Sequence, residues 1–306
     1  MMRTNEELRE LQALPLDLKI KKTLLRIREW YNHWDGNVYV SFSGGKDSTV
    51  LLHLVRSIYP EVPAVFCDTG LEFPEVRKHA LSFPNVTVLK PKLNFRQVIE
   101  KYGWVYPSKD IAHNIYYARR GSNWAVKAMQ GLNKDGTESD WKKSNYCRWR
   151  HLLDAPFKIS DNCCFFMKKQ PMDKYLKETG RYPIIGTMAA ESTRRKLCWL
   201  QHGCNSYESK PPSCKPLSFW TEQDVLHYIK SNNIQIAEVY GEIVERNGKM
   251  ETTGEKRTGC MFCLIGCHLD KTNRFQRMKE THPALYKYCM NELKMDEILS
   301  YLGVEH

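Results

Sequence analysis

The chain has 306 residues, of which 42% are apolar, enough to bury a full core as one large domain or one domain with an elaboration. No apolar run approaches the roughly 20 residues that a membrane-spanning helix needs, and the polar, acidic start Met1–Glu7 does not read as a secretory leader, so a cytoplasmic protein is expected. Forty-six Lys and Arg against 35 Asp and Glu give a net charge of +11, which suits polyanionic partners, either nucleotides or nucleic acid; in a reducing compartment the eleven cysteines argue for metal or redox use rather than a disulfide scaffold.

Thr4 and Glu7 form a capping-box pair that opens a first helix, and Pro15 interrupts it. Asp17 is positioned to cap a second helix to about Tyr31, with Ile20, Leu24, Ile27 and Tyr31 on one face. Asp35-Gly36 turns the chain into an apolar strand at Val38–Val40; Ser41-Phe42-Ser43-Gly44-Gly45-Lys46-Asp47-Ser48 follows, and then a helical pattern from Thr49. Ala64–Cys67 reads as a second strand ending in Asp68–Glu75. Val86–Leu89 reads as a third, before a helix near Phe95–Lys101. This rhythm predicts an α/β fold, a parallel twisted sheet with helices on both faces, in which ligands sit at the carboxyl ends of the strands. Ser41–Ser48 and Asp68–Glu75 both lie at such ends, so they are expected to face one cleft.

Residues 104–150 break the rhythm. Aromatic residues such as Tyr106, Tyr117, Trp124, Trp141 and Trp149 alternate there with Lys109, Arg119, Arg120, Lys142 and Arg148. That pattern suits either stacking on single-stranded nucleic acid or an insertion whose aromatics pack on a core, and the packing reading is the favoured one. Further on, Met172–Thr179 reads as a helix and Pro183–Thr187 as a strand. Thr221 caps a helix to about Asn232, with Asp224 in the capping-box position. Residues 241–259 are polar, a hairpin or loop, and a helical region is expected from Lys271 to Tyr301. The expected organisation is an N-terminal helical region (1–36), a nucleotide-binding domain (37–240) with an insertion at about 104–150, and a Cys-rich turn with a helical region (241–306).

The octet carries the chemistry. Adjacent glycines let a ligand approach the backbone, Ser43, Ser48 and Thr49 add hydroxyls, Lys46 adds a mobile charge, and a helix N-terminus there makes a seat for phosphate. The spacing is neither that of a Walker A loop nor G-x-G-x-x-G. It resembles the PP-loop of the ATP pyrophosphatase (adenine nucleotide α-hydrolase) superfamily, whose members bind ATP at such a corner and break its α–β bond. That resemblance implies ATP with Mg²⁺ as ligand, Lys46 and Asp47 as catalytic groups, and Ser41, Ser43, Gly44, Gly45 and Ser48 as binding residues.

Three more stretches narrow the resemblance. Asp68-Thr69-Gly70 with Phe73-Pro74-Glu75, then Glu191-Ser192 with Arg194-Arg195, then Lys215-Pro216-Leu217 with Trp220-Thr221 and Asp224-Val225 are similar to elements of the phosphoadenosine phosphosulfate (PAPS) reductase family. This adds Asp68, Thr69, Gly70, Glu191, Arg194 and Arg195 to the nucleotide site, with Met188 standing where the family often carries an arginine. Cys163-Cys164 with Lys168 and Pro171, and Cys260-Met261-Phe262-Cys263, resemble the ligand runs of the iron–sulfur adenosine phosphosulfate (APS) reductases, which implies a [4Fe–4S] cluster on Cys163, Cys164, Cys260 and Cys263. Structural Zn²⁺ is the rival, and adjacent cysteines are a poor zinc spacing. Cys147 and Cys267 are alternative ligands or sulfur carriers, and His268 beside Cys267 reads as structural rather than as an acid–base partner.

The family's C-terminal E-C-G-[IL]-H cysteine has no counterpart in Asp296–His306, where the last cysteine is Cys289 inside a predicted helix, while the PP-loop keeps its lysine and aspartate. The favoured expectation is therefore an ATP-using sulfurtransferase that adenylates an acceptor, either a tRNA or DNA or a small molecule. A sulfonucleotide reductase is the runner-up, and a non-catalytic nucleotide- and cluster-binding sensor or assembly subunit is third. A cysteine desulfurase as sulfur donor and thioredoxin are the candidate protein partners, and a homodimer is a candidate assembly.

Overall fold

A computed structural model describes residues 3–270 and 272–306; Lys271, the expected start of the last helical region, lies outside them. The chain forms two compact units, one of Met1–Asp68, Glu72–Lys90 and Met172–Thr258, the other of Thr69–Leu71, Pro91–Pro171 and Gly259–His306.

In the first unit, helices α1 (Asn5–Ala13) and α2 (Leu16–His33) precede strand β1 (Val38–Phe42), helix α3 (Lys46–Arg56), strand β2 (Ala64–Cys67), helix α4 (Pro74–Leu81) and strand β3 (Val86–Leu89). The Thr4–Glu7 capping box is formed at α1. Helix α2 starts earlier than expected: Pro15 occupies the cap, its fixed φ leading into the first turn, and Asp17 lies inside that turn. Helix α5 (Phe95–Tyr102), α6 (Lys109–Ala118), α7 (Asn123–Met129) and α8 (Asp140–Tyr146) belong to the second unit, followed by a 3₁₀ segment at Cys147–Asp154. A π-helical turn at Phe165–Lys169 then runs into α9 (Gln170–Thr179).

Strand β4 (Tyr182–Ile185) returns the chain to the first unit and leads through α10 (Thr193–His202) to two-residue strands β5 (Asn205–Ser206) and β6 (Ser213–Cys214). The sheet order is β3-β2-β1-β4-β6-β5, parallel throughout except for the antiparallel β5–β6 pair. The α/β expectation therefore holds. Val40 pairs with Ala64 on one side and Ile184 on the other, at the centre of a core that includes Trp30, Phe66, Leu51, Leu54 and Trp220. The order reverses between β1 and β4, so the turns after these two strands define a crevice of the kind in which α/β sheets bind ligands.

Helix α11 (Glu222–Ser231) carries the expected Thr221–Asp224 capping box. The polar stretch that follows resolves into a hairpin of β7 (Ile243–Arg246) and β8 (Lys249–Thr252), joined by Asn247-Gly248 with both φ values positive, the dipeptide a tight primed turn demands. The second unit closes with α12 (Arg274–Thr281), α13 (Pro283–Lys287), a π turn at Tyr288–Glu292 and α14 (Met295–Tyr301).

The 104–150 segment is largely built into the second unit. Trp104, Tyr106 and Tyr146 are buried, and Arg119 donates to the carbonyls of Leu152, Leu153, Ala155 and Phe157, so its charge braces the backbone. Trp124 and Trp141 remain exposed.

Candidate functional site

In the first unit the PP-loop is a strand–loop–helix corner. Strand β1 delivers Ser41 and Phe42, Gly44 turns the chain at φ +72°, and Gly45 caps α3, whose first turn is Lys46-Asp47-Ser48. Glycine is required at 44: a Cβ there would meet the Val76 carbonyl oxygen at 2.6 Å. The loop's hydroxyls are inward braces, with Ser48 and Thr49 donating to the Gly45 carbonyl at 2.9 and 3.1 Å. Gly186, directly after β4, packs so closely on this turn that a Cβ would lie 3.3 Å from the Asp47 carbonyl oxygen.

Lys46 is buried, 3% exposed, and its ammonium is held by the Lys256 carbonyl at 2.9 Å, Glu222 at 3.2 Å and Asp47 at 3.7 Å. Asp47 Oδ1 is buried and accepts no hydrogen bond. Burial pushes the Asp47 pKa up, the Lys46 ammonium pulls it down, and the nearby carboxylates of Glu191 and Glu222 raise it again. An ionisable oxygen left in that state fits a divalent cation or another donor arriving with a ligand. Glu191 is thus brought to the PP-loop; it also accepts from the Met188 amide at 2.7 Å and pairs with Arg195. Arg194 is solvent-exposed on the first turn of α10.

Asp68 lies at the end of β2, 8% exposed, where Arg77 grips its Oδ2 through two nitrogens at 2.9 and 3.0 Å. Thr69 and Gly70 belong to the second unit; Thr69 Oγ1 accepts from the Leu71 amide, and Gly70 takes a φ of +72°. The Lys215–Val225 element is architectural. Asp224 takes the buried Lys19 ammonium at 2.7 and 2.8 Å while capping α11 through Thr221, Trp220 donates to Thr23 at 2.9 Å, and Lys215 donates to Cys198 Sγ at 3.3 Å.

The second unit gathers the four expected cysteines. Burial pushes the Cys163 thiol up, and the neighbouring Cys164, Cys260 and Cys263 push it further, while Lys168 acts against them. Burial likewise raises Cys263, against the Ile265 amide, Arg274 and Lys109. Among the described residues no three His, Cys, Asp or Glu side chains converge as a metal-ion site. Cys267 is buried, its pKa raised to about 11, first by burial and then by Cys263 with Arg274 opposing. His268 stacks edge-on to Tyr106 and Trp149 at 5.4 and 5.1 Å, a packing role. Cys147 lies against Gly131 and Lys143. Lys109 and Arg274 stand beside the cysteines, and Glu222, Tyr240, Lys256 and Thr258 beside the PP-loop, with no local signal in the sequence that marks these contacts; only the fold brings them in.

The family model described as the phosphoadenosine phosphosulfate reductase domain matches residues 37–110 and 125–270, well over half of the chain. The chain belongs to the phosphoadenosine phosphosulfate reductase family. A phosphoadenosine 5′-phosphosulfate reductase of Alteromonas mediterranea is 26% identical over 271 residues, 84% of this chain and 90% of that protein. A sulfate adenylyltransferase subunit 2 of Shewanella amazonensis is 26% identical over 232 residues, 72% and 67% of the two chains. An uncharacterized protein of Methanocaldococcus jannaschii is 28% identical over 294 residues, 91% of this chain, which spans 55% of that relative's length. The named relatives of this PAPS reductase family member are enzymes. No helix among its described residues is long and apolar enough to cross a membrane.

Proposed function

We propose that this PAPS reductase family member is an ATP-using sulfurtransferase that makes AMP and pyrophosphate. The observation that carries the reading is the complete PP-loop, with a buried Lys46 ammonium beside an Asp47 oxygen that lacks a hydrogen bond. Loop amides and Lys46 bind the phosphates of ATP, and Asp47 would hold the Mg²⁺ that neutralises their charge. An acceptor oxygen attacks the α-phosphorus, the α–β bond breaks, and pyrophosphate leaves with the bonding pair. Lys46 and the amides stabilise the charge that develops on the phosphoryl oxygens. A sulfur nucleophile then displaces AMP from the adenylated acceptor. The relative named sulfate adenylyltransferase subunit 2 supports an adenylyl-transfer reading.

Cys163, Cys164, Cys260 and Cys263 are the residues that would hold a [4Fe–4S] cluster. Adjacent cysteines such as Cys163-Cys164 are a poor spacing for zinc, so this set suits the cluster better. When bound, such a cluster supplies iron–sulfide chemistry for carrying sulfur or electrons. The acceptor is a nucleic acid or a small molecule, and the +11 charge favours the former.

The second reading is a sulfonucleotide reductase, favoured by the relative named for that activity. Anaerobic purification, followed by pyrophosphate release from ATP assayed in parallel with sulfite production from PAPS and APS, separates the two. Pyrophosphate release, raised by added RNA or DNA, supports the proposal. Sulfite without ATP consumption overturns it. Iron content and visible absorption of the same sample distinguish cluster from zinc.

A further inference from the structure

Three backbone amides of the PP-loop and the Lys46 ammonium donate to oxygens of the protein itself. The Ser43 amide donates to Ser48 Oγ at 3.2 Å, the Gly45 amide to Ser43 Oγ at 3.3 Å, and the Lys46 amide to the Tyr240 hydroxyl at 3.1 Å. The Lys46 ammonium donates to the Lys256 carbonyl at 2.9 Å. Two of these acceptors lie inside the loop. The other two come from about 200 residues away in sequence and belong to one structure, in which the Tyr240 hydroxyl bonds Thr258 Oγ1 at 2.6 Å. The segment between Gly254 and Thr258 is laced back on Tyr240, since the Gly254 amide donates to the Tyr240 carbonyl and the Glu255 amide to that of Val239, both at 2.9 Å. Tyr240 is 2% exposed, its ring lies 5.4 Å from the Lys46 ammonium, and a Cβ on Gly45 would meet its hydroxyl at 3.2 Å.

Buried amides and ammonium groups need acceptors, and a bare anion seat is costly to leave unpaired. The first-unit fold meets that need with a tyrosine and a strap, the segment Gly254–Thr258.

We infer that Tyr240 is a positioning residue of the nucleotide site: with the Gly254–Thr258 strap it holds the Lys46 amide and ammonium as surrogate for phosphate, and it yields them when the triphosphate arrives. The inference rests on the ATP reading above. Arg257 already lies close enough to Asp47 to oppose its raised pKa, so the released strap carries Lys256 and Arg257 beside the site where the phosphates bind.

The test uses the full chain, purified anaerobically, with Mg²⁺ and α,β-methylene-ATP as probe. Affinity is read by titration calorimetry and strap mobility by amide hydrogen exchange over residues 255–258. In the wild type, the probe should bind and accelerate exchange of the strap. Tyr240→Phe removes the competing acceptor while keeping the ring, so it should bind the probe about fivefold tighter, the worth of one hydrogen bond of ordinary strength, with the strap exchanging fast before any nucleotide is added. Thr258→Ala, which spares the buried ring, should move both readouts in the same direction. A tyrosine that merely filled space would leave affinity unchanged or weaken it. Wild-type binding with a protected strap, and no tightening in either variant, overturns this inference and leaves the ATP reading standing. Failure of the wild type to bind the probe at all sinks both.

Discussion

Lys46→Met is the perturbation that bears hardest on the proposed chemistry. Methionine keeps most of the buried stem and removes only the ammonium, which stands 3.7 Å from Asp47, 3.2 Å from Glu222 and 2.9 Å from the Lys256 carbonyl. At an effective dielectric of about 20, a charge pair about 4 Å apart interacts by about 4 kcal/mol. Losing the ammonium therefore pushes the Asp47 pKa further in the direction burial already drives it, which makes the carboxylate a weaker metal ligand. The variant should lose a phosphate ligand and weaken a metal ligand. Removing one preorganised donor from a developing oxyanion costs about 100- to 1,000-fold in rate, roughly 3–4 kcal/mol, so pyrophosphate release should fall by at least that factor. Iron content and visible absorption should be unchanged, because all four candidate ligands lie in the second unit. The assay is anaerobic pyrophosphate release with iron quantified on the same preparation. Turnover at the wild-type rate would refute the role given to the loop, and concurrent loss of iron would refute the independence of the two sites.

Gly44→Ala forces a side chain into a left-handed φ and onto the Val76 carbonyl, so it should cost at least about 1–2 kcal/mol of stability, read as a lower denaturation midpoint, and abolish nucleotide binding. The raised Asp47 pKa means that ionising this group costs the folded state: its contribution to stability falls as pH rises through the window between the unfolded and the higher folded value. Mg²⁺-dependent nucleotide affinity should accordingly fail on acidification at a pH above the ordinary carboxylate range, and Asp47→Asn should erase that pH dependence in a calorimetric series. Asp224→Ala strands the buried Lys19 ammonium and removes the side-chain half of the α11 capping box, so about 3–5 kcal/mol should be lost in chemical denaturation. Cys289 is fully buried, its thiol pushed up to about 12, so it should resist iodoacetamide in the native protein, and Cys289→Ser should leave turnover intact; rapid alkylation would revive it as a sulfur nucleophile.

The parts that were legible in the sequence are those whose signal is local. The Gly-Gly turn between an apolar run and a helical pattern announced the corner that β1 and α3 make. Thr221 with Asp224 announced the cap of α11, and short β-branched runs at regular spacing announced the parallel sheet. What escaped depends on distant partners or on elements too short to carry a pattern. Strands β5 and β6 have two residues each. Lys19 sits in a charge-rich helix and looks solvated, yet it is buried because Asp224, about 200 residues on, supplies its counter-charge. Arg119 is one of the basic residues that alternate with aromatics at 104–150, and nothing local says that it braces the backbone carbonyls of residues 152–157. Tyr240, Lys256 and Thr258 lie in a polar stretch with no motif, and nothing short of the folded chain sets them against Lys46. The Asn247-Gly248 hairpin could have been read outright.

The order of the sheet has a consequence for how this chain behaves in a crowded solution. Its outer strand on one side, β3, is four residues long with Val88 exposed, and Lys90-Pro91-Lys92 follows at once. On the other side β5 offers two residues in antiparallel array. A short edge, a residue that cannot donate to a ladder and flanking like charges are the devices that stop sheets from growing sideways. Despite a sheet rich in valine, isoleucine and phenylalanine, both margins are poor templates for a newcomer strand, so aggregation by edge-to-edge pairing is disfavoured and the hydrophobic interior can stay large.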